Sequence, residues 1–334
     1  MSIDCLRLSV TDKCNLRCVY CHPLPDCRPI EHELVSQASC PRYEGETPSA
    51  LGFEEILRIS RLFADCGIKK LRLTGGEPLI RYDIVRLVRE LAAVPGIEEL
   101  SVTTNGVFLE SLAAELKAAG LQRVNISVDS INRETYERIT GFDLLSRVLD
   151  GIYTAIDVGL TPVKINCVVI KGLNDDEEQI TALADMSINL PVSVRFIEYC
   201  PTNKNTRPAA DYVPNTSVRF VIERRYGPLS DTVMSYGNGP AEYFKVPGSA
   251  GTIGFISGRS SNFCRSCSRL RLTSDGKVMP CLYSALAHDI KTFTRNGRSD
   301  RQIRDYLSKI IAEKAGYTKS NSLKEEFSMC KVGG

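Results

Sequence analysis

The sequence predicts an α/β fold: a parallel sheet built from six repeated βα units, too few to close an eight-stranded barrel, and then a smaller C-terminal region of different character. Three observations carry this. Segments with helical spacing of apolar residues alternate with short runs of period-two hydrophobicity. Three of the helical segments end on glycine and an apolar residue, at Gly67-Ile68, Gly120-Leu121 and Gly159-Leu160, and each leads into a strand. Strands separated by helices in this way pair in parallel through right-handed crossovers.

The first strand puts Leu6, Leu8 and Val10 on one face and Arg7 and Ser9 on the other; Thr11, Asp12 and Lys13 then release the backbone into a loop bearing Cys14, Cys18 and Cys21. Residues 22–50 hold five prolines, the further cysteines Cys27 and Cys40, and no sustained periodicity, and read as a long irregular insertion. Phe53, Ile56, Leu57 and Phe63 mark a helix that precedes a strand at 70–74. Leu87, Val88 and Leu91 define a helix over 84–93 before a strand at 100–104, and a helix at 112–119 leads to a strand at 124–128. A helix at 144–158 precedes the strand 163–169, and a last one after Asn174, Asp175 and Asp176 leads to 192–198. Beyond Tyr199 the chain is polar loop, one helix near 218–225, and a Gly/Ser-rich stretch at 237–260 with hairpin signals. A boundary near residue 230 therefore divides a barrel-like unit, 1–230, from a C-terminal region, 231–334.

Forty-two Lys and Arg against forty Asp and Glu give a formal charge of +2, so no global field favours nucleic acid or an anionic membrane. A cationic site must be local. Thirteen cysteines, odd in number and clustered, suit metal ligation in a reducing compartment better than a secreted disulfide framework. With no signal-peptide pattern and no run of roughly 18 apolar residues, a cytoplasmic protein with no membrane span is expected.

The spacing C-x3-C-x2-C at Cys14, Cys18 and Cys21 lets one loop hold three corners of a [4Fe-4S] cube and leaves one iron open. The alternative, a structural zinc, needs a fourth ligand such as His22 or Cys27. Gly75-Gly76-Glu77-Pro78 follows the second strand at its carboxyl end, where βα barrels place their active sites, and two glycines allow close backbone approach to a ligand. A second triple, Cys264, Cys267 and Cys281, again lacks an adjacent fourth thiol. Strand parity also gathers cations. Arg7, Lys70, Arg72, Lys164, Arg195, Arg269 and Arg271 all lie on the polar faces of strands whose apolar faces must meet the helices, so they are expected to point into the lumen. Burying them unpaired would cost several kcal/mol each, a cost that a polyanion such as a triphosphate removes. Otherwise each has an acidic partner such as Glu77 or Glu198, or its strand face is solvated.

The cysteine loop, with Tyr20 before its last cysteine, resembles that of the radical S-adenosylmethionine (SAM) superfamily. That resemblance implies an open partial (β/α)6 TIM-type barrel with a small C-terminal β-containing extension, an open iron that chelates SAM, and a 5′-deoxyadenosyl radical. It implies cofactor contacts from Tyr20, Gly75, Gly76 and Glu77, and makes Thr104, Asn105, Ser127 and Asp129 candidates for the SAM ribose and carboxylate. A closer resemblance runs from Leu6 to Gly334, through Arg195-Phe-Ile-Glu-Tyr199, Gly251-Thr-Ile-Gly-Phe-Ile-Ser257, the second Cys-triple with Arg269-Leu-Arg271, and Gly333-Gly334. It is to the molybdenum-cofactor GTP 3′,8-cyclase family. This implies two [4Fe-4S] clusters, the second binding guanine; GTP held by Arg7, Lys70, Lys164, Arg195, Arg269 and Arg271; and hydrogen removal from ribose C3′ followed by bonding to guanine C8. It also implies a Gly333-Gly334 tail threaded into the site, an electron donor such as flavodoxin or ferredoxin, a downstream pterin-forming enzyme, and a homodimer as one option. The sequence departs from the family in the 22–50 insertion, in Cys200 where a methionine usually packs near the SAM adenine, and in Ser268 where asparagine is usual. The rival readings are a two-cluster relative that cyclises another nucleotide and a peptide-modifying radical SAM enzyme. A zinc-bearing RNA-binding protein would need a basic surface with interleaved aromatics, which the +2 charge and absence of Trp do not supply.

Overall fold

The computed structural model describes residues 3–21, 50–201, 208–232, 239–261, 267–282, 284, 286–315, 317 and 332. His22, Cys27, Cys40, Cys264, Gly333 and Gly334 lie outside the described residues. The strands are β1 (Cys5–Ser9), β2 (Lys70–Thr74), β3 (Glu99–Thr104), β4 (Arg123–Ser127), β5 (Val163–Val169) and β6 (Val192–Glu198), followed by β7 (Ser230–Asp231), β8 (Glu242–Lys245), β9 (Thr252–Ile256), β10 (Arg269–Leu272), β11 (Lys277–Met279) and β12 (His288–Asp289). The helices are α1 (Phe53–Asp65), α2 (Ile84–Ala92), α3 (Leu109–Ala118), α4 (Arg133–Thr140), α5 (Leu145–Asp157), α6 (Glu177–Asn189), α7 (Asn215–Tyr226), α8 (Ile290–Arg295) and α9 (Asp300–Ala315).

The six expected strands pair in parallel in chain order, β1 to β6. Their outward residues, such as Leu6, Leu8, Leu71, Leu73, Ile165 and Val194, are fully buried in one continuous core with Ile59, Phe63, Leu87, Val148 and Leu183 of the helices. Gly67, Gly120 and Gly159 sit at φ +96°, +102° and +74°, the left-handed conformation that ends a helix and turns the chain toward the next strand. α4 is a helix the periodicity did not signal. It starts where the Asn132 side chain accepts from the Thr135 N–H (3.0 Å) and stops at Gly141, φ +81°.

The C-terminal strands are not a separate layer. β9 pairs in parallel with β6 and β10 pairs in parallel with β1, so the C-terminal region extends both edges of the sheet and the boundary near residue 230 is not a break in it. The sheet nevertheless stays open. The outer edge of β9 is taken by antiparallel β8, and that of β10 by antiparallel β11, so each hairpin satisfies an edge that closure would otherwise use.

The entry into β9 is tight: a Cβ on Gly251 would stand 1.9 Å from the Val192 carbonyl oxygen and 2.8 Å from that of Leu190. Both are backbone and cannot yield locally. Gly251→Ala is therefore expected to destabilise the protein by roughly 3 kcal/mol or more, read as a lower denaturant midpoint.

Candidate active site

The cysteine loop leaves the carboxyl end of β1 and is seated on the Gly75-Gly76 turn that ends β2. Gly76 donates to the Thr11 carbonyl (2.9 Å) and the Glu77 N–H donates to that of Lys13 (2.7 Å). A Cβ on Gly75 would meet Thr11 O at 2.3 Å, and one on Gly76 would meet Lys13 O at 2.0 Å. The two glycines thus admit a close approach of backbone to backbone, which positions Cys14 directly after Lys13.

Two buried carboxylates tie the strand ends to this loop. Glu77, 1% exposed, accepts from the Thr104 hydroxyl (2.7 Å), the Asn105 N–H (2.6 Å) and the Leu79 N–H (2.9 Å). Burial pushes its pKa up to about 7 despite those donors. Glu77 and Thr104 thus join the ends of β2 and β3, and neither side chain lines the cavity described below. Asn105 reaches Asn15 of the loop (2.8 Å) and approaches the Cys14 sulfur at 4.0 Å. On the other side Tyr20 donates to Asp129 Oδ2 (2.6 Å), while Oδ1 accepts from the Val168 N–H (2.8 Å). Burial raises the Asp129 pKa to about 6 against these hydrogen bonds, and burial and Asp129 drive that of Tyr20 well up.

A cavity of about 340 Å³ fills the lumen, and all seven expected cations line it, together with Tyr20, Ser127, Asp129, Cys200, Cys267 and Cys281. Arg271, Arg7 and Arg72 are successive cross-strand partners on β10, β1 and β2, like charges set side by side on an inward face. Burial together with Arg271, Arg269 and Arg72 drives the Arg7 pKa well down, and among the described residues Arg7 Nε has no hydrogen-bond partner. Lys164, 3% exposed, is pushed down to about 6 by burial and then by Arg195, Arg123 and Arg72. Burial is also the main cause that lowers Arg195 to about 10. Some charges are met from within: Lys70 by Asp4 (3.0 Å) and Arg123 by Glu99, while Arg72 Nε donates to Ser101 Oγ (3.3 Å). Glu77 and Glu198, the acids the sequence offered as partners, are taken by other donors, although Glu198 also lines the cavity. Glu198 accepts from the Arg259 and Ser260 N–H groups (2.9 and 2.8 Å) and from the Ser260 hydroxyl (2.6 Å).

Cys267 and Cys281 stand at the β10 side of the cavity. Burial raises the Cys267 pKa, but Arg269 and Lys314 outweigh it and hold the thiol down to about 7. Ser268 hydrogen-bonds Asp4, the partner of Lys70, and so joins the second cysteine segment to β1. Val332 packs with Met279 and Leu282, and its carbonyl accepts from Arg271 Nη1 (3.4 Å), which brings the chain to the cavity wall one residue before Gly333. Three thiols on one short loop, and Cys267 and Cys281 facing the lumen, are the soft donor sets that iron–sulfur clusters take. Among the described residues no group of three or more His, Cys, Asp or Glu converges on a single ion.

The sequence reading missed several cavity residues. Arg123 shares the inward parity of Asn125 and Ser127 on β4, a signal that the polar-face rule contains. Thr103, not its neighbour Thr104, faces the lumen from β3. Lys314 and Tyr243 come from a helix and an outer strand, where no local pattern points inward.

Residues 8–184 match the family described as the Radical SAM superfamily, and residues 192–320 match Molybdenum Cofactor Synthesis C. A GTP 3′,8-cyclase of Pelotomaculum thermopropionicum is 42% identical over 93% of this chain and 91% of that one. One from Moorella thermoacetica is 41% identical over 99% and 98%. Among solved structures, Streptococcus suis SuiB bound to S-adenosylmethionine superposes with a TM-score of 0.59 at 16% identity, covering 87% of this chain and 63% of that longer one, a likeness of fold alone. With both halves matched and relatives above 40% identity that run its length, the chain belongs to the GTP 3′,8-cyclase family of the radical SAM superfamily.

Proposed function

We propose that this chain converts GTP to 3′,8-cyclo-7,8-dihydro-GTP, the first step of molybdenum cofactor biosynthesis, with the triphosphate held by the lumen cations. The observation that carries the reading is the meeting of Arg7, Lys70, Arg72, Lys164, Arg195, Arg269 and Arg271 in one cavity with Cys267 and Cys281. Arginine forks and a lysine point charge suit a polyphosphate, and a buried polyanion offsets their desolvation. Cys14, Cys18 and Cys21 would hold one [4Fe-4S] cluster and Cys264, Cys267 and Cys281 a second; with SAM bound, the first supplies a 5′-deoxyadenosyl radical.

The chain's own part is positioning. Gly75 and Gly76 seat the cysteine loop, and Glu77 with Thr104 fixes the strand ends beneath it. Asp129 holds Tyr20, and Ser127 and Cys200 face the same lumen as candidates for SAM contacts. The Val332 carbonyl accepts from Arg271 Nη1 at the cavity wall, and Gly333 and Gly334, the next residues in the sequence, would act on the substrate from there. Residues without side chains can pass a bound nucleotide closely. Deleting Gly333 and Gly334 is expected to leave SAM cleavage and both clusters intact and to abolish nucleotide conversion, read as 5′-deoxyadenosine without cyclised product.

An external one-electron donor of the flavodoxin or ferredoxin kind, a pterin-forming enzyme that consumes the product, a reducing cytoplasm and a homodimer complete the proposed setting. No described helix is long and apolar enough to cross a membrane. The test is anaerobic incubation with SAM, reductant and each nucleoside triphosphate in turn. GTP alone is expected to yield a product of unchanged mass together with 5′-deoxyadenosine; conversion of a different triphosphate, or radical formation without nucleotide conversion, overturns the reading.

A further inference from the structure

Tyr243 reaches the cavity from outside the run of parallel strands. β8 lies beyond β9, and Tyr243, Gly254 and Arg195 are successive cross-strand partners on β8, β9 and β6. The next residue, Phe244, turns the other way, packing 5.8 Å from the Phe255 ring with the Arg219 guanidinium 4.5 Å above its own. Gly254 is not in the left-handed region, so its backbone does not require glycine. Space does. A Cβ there would stand 2.9 Å from Arg195 Cγ and 3.2 Å from Tyr243 Cδ1 and Cε1. The missing side chain lets the phenol ring lie across β9 onto the arginine.

Arg195 is thereby held from two directions. Through Nη2 it donates to Asn125 Oδ1 (2.8 Å), Asn125 being itself fixed by donating to the Val102 carbonyl (3.1 Å), and from the other side the Tyr243 phenol favours its charged form. Arg195 is 5% exposed, and among the described residues its Nε has no hydrogen-bond partner. A buried arginine clamped at one edge, with a donor left over, is prepared for an anion. An arginine carries about 2 kcal/mol of rotamer entropy, and fixing it in advance removes that loss from the binding step.

We propose that Tyr243 is a positioning residue that orients Arg195 toward a phosphate of the nucleotide, with Gly254 as the gap through which it acts. This rests on the reading that Arg195 takes a phosphate of GTP. Tyr243→Phe keeps the ring over Gly254 and removes only the hydroxyl, so the melting temperature and the SAM dissociation constant are expected to stay at wild-type values. The GTP dissociation constant should rise about tenfold, the scale of one lost hydrogen bond to a charged group. In an Arg195→Gln background, where there is no guanidinium to orient, the same substitution should change GTP affinity less than about twofold, since coupled residues are non-additive. Wild-type GTP affinity in Tyr243→Phe, or the same loss in both backgrounds, overturns the positioning role while leaving the GTP reading standing. Wild-type protein that binds no GTP, or Arg195→Gln that binds it undiminished, overturns the GTP reading and the proposal with it.

Discussion

Gly76→Ala is expected to assemble without its first cluster and to cleave no SAM. The added Cβ would lie 2.0 Å from the Lys13 carbonyl oxygen, 2.5 Å from the Lys13 carbonyl carbon and 3.1 Å from that of Asp12. All three are backbone atoms, so no side chain can swing aside. The same backbone is pinned by the hydrogen bonds from Gly76 to Thr11 and from Glu77 to Lys13 (2.9 and 2.7 Å). Relief must come from displacing residues 11–13, and Cys14 is next. An iron–sulfur cluster needs its three thiolates in one geometry, so a shift on the order of 1 Å at the first of them removes a ligand. Iron and acid-labile sulfide measured after anaerobic reconstitution should fall by about half, the second cluster remaining. Gly67→Ala is the control. Its φ of +96° makes alanine strained, but nothing lies within 4 Å of the new methyl, so it should lose about 1 kcal/mol or slightly more and keep full iron content. Full iron in Gly76→Ala would show that the loop tolerates the shift.

The cation wall was legible because two constraints act together. Side chains alternate along a strand, and the helix-covered face must be apolar, so every charged residue of inward parity is sent to the lumen. That rule covers the seven expected cations and also Arg123, which was passed over although Asn125 and Ser127 share its face. It also separates two neighbours on β3. Thr103 and Thr104 differ by one residue and hence face opposite ways, and the polar appearance of both concealed which one meets the cavity. The glycine pair showed a different limit. Glycine signals close approach but not to what, and here the partner is the chain's own loop, more than 60 residues earlier in sequence. Nor does local pattern say which sheet edge a late strand joins. β9 and β10 are separated by a short stretch of chain yet lie at opposite ends of the parallel run, a choice set by tertiary packing.

Binding of GTP is expected to take up about one proton at pH 7.5 to 8.5, and Lys164→Met should abolish that uptake. Lys164 is buried on β5 with Arg195, Arg123 and Arg72 around it, and burial followed by these charges brings its pKa down to about 6. Above that pH the empty cavity holds the amine neutral. A triphosphate reverses both causes, since its negative charge offsets the arginines and stabilises the ammonium, so the pKa in the complex rises and a proton enters with the ligand. GTP affinity should therefore fall up to about tenfold per pH unit above 6, until the pKa of the complex is reached. Folding stability runs the opposite way in the empty protein. The unfolded lysine binds its proton up to near its ordinary pKa of about 10.5 and the folded one only below about 6, so this residue's contribution rises with pH across that window and is lost as pH falls toward 6. Calorimetric titration of GTP in two buffers of different ionisation enthalpy separates the proton from the rest of the heat. Wild-type protein should show a buffer-dependent enthalpy that Lys164→Met lacks, with affinity in the variant weaker by roughly 1.5 to 3 kcal/mol at pH 7. Buffer dependence of equal size in both proteins would mean that another group takes the proton, and that Lys164 is already charged in the empty cavity.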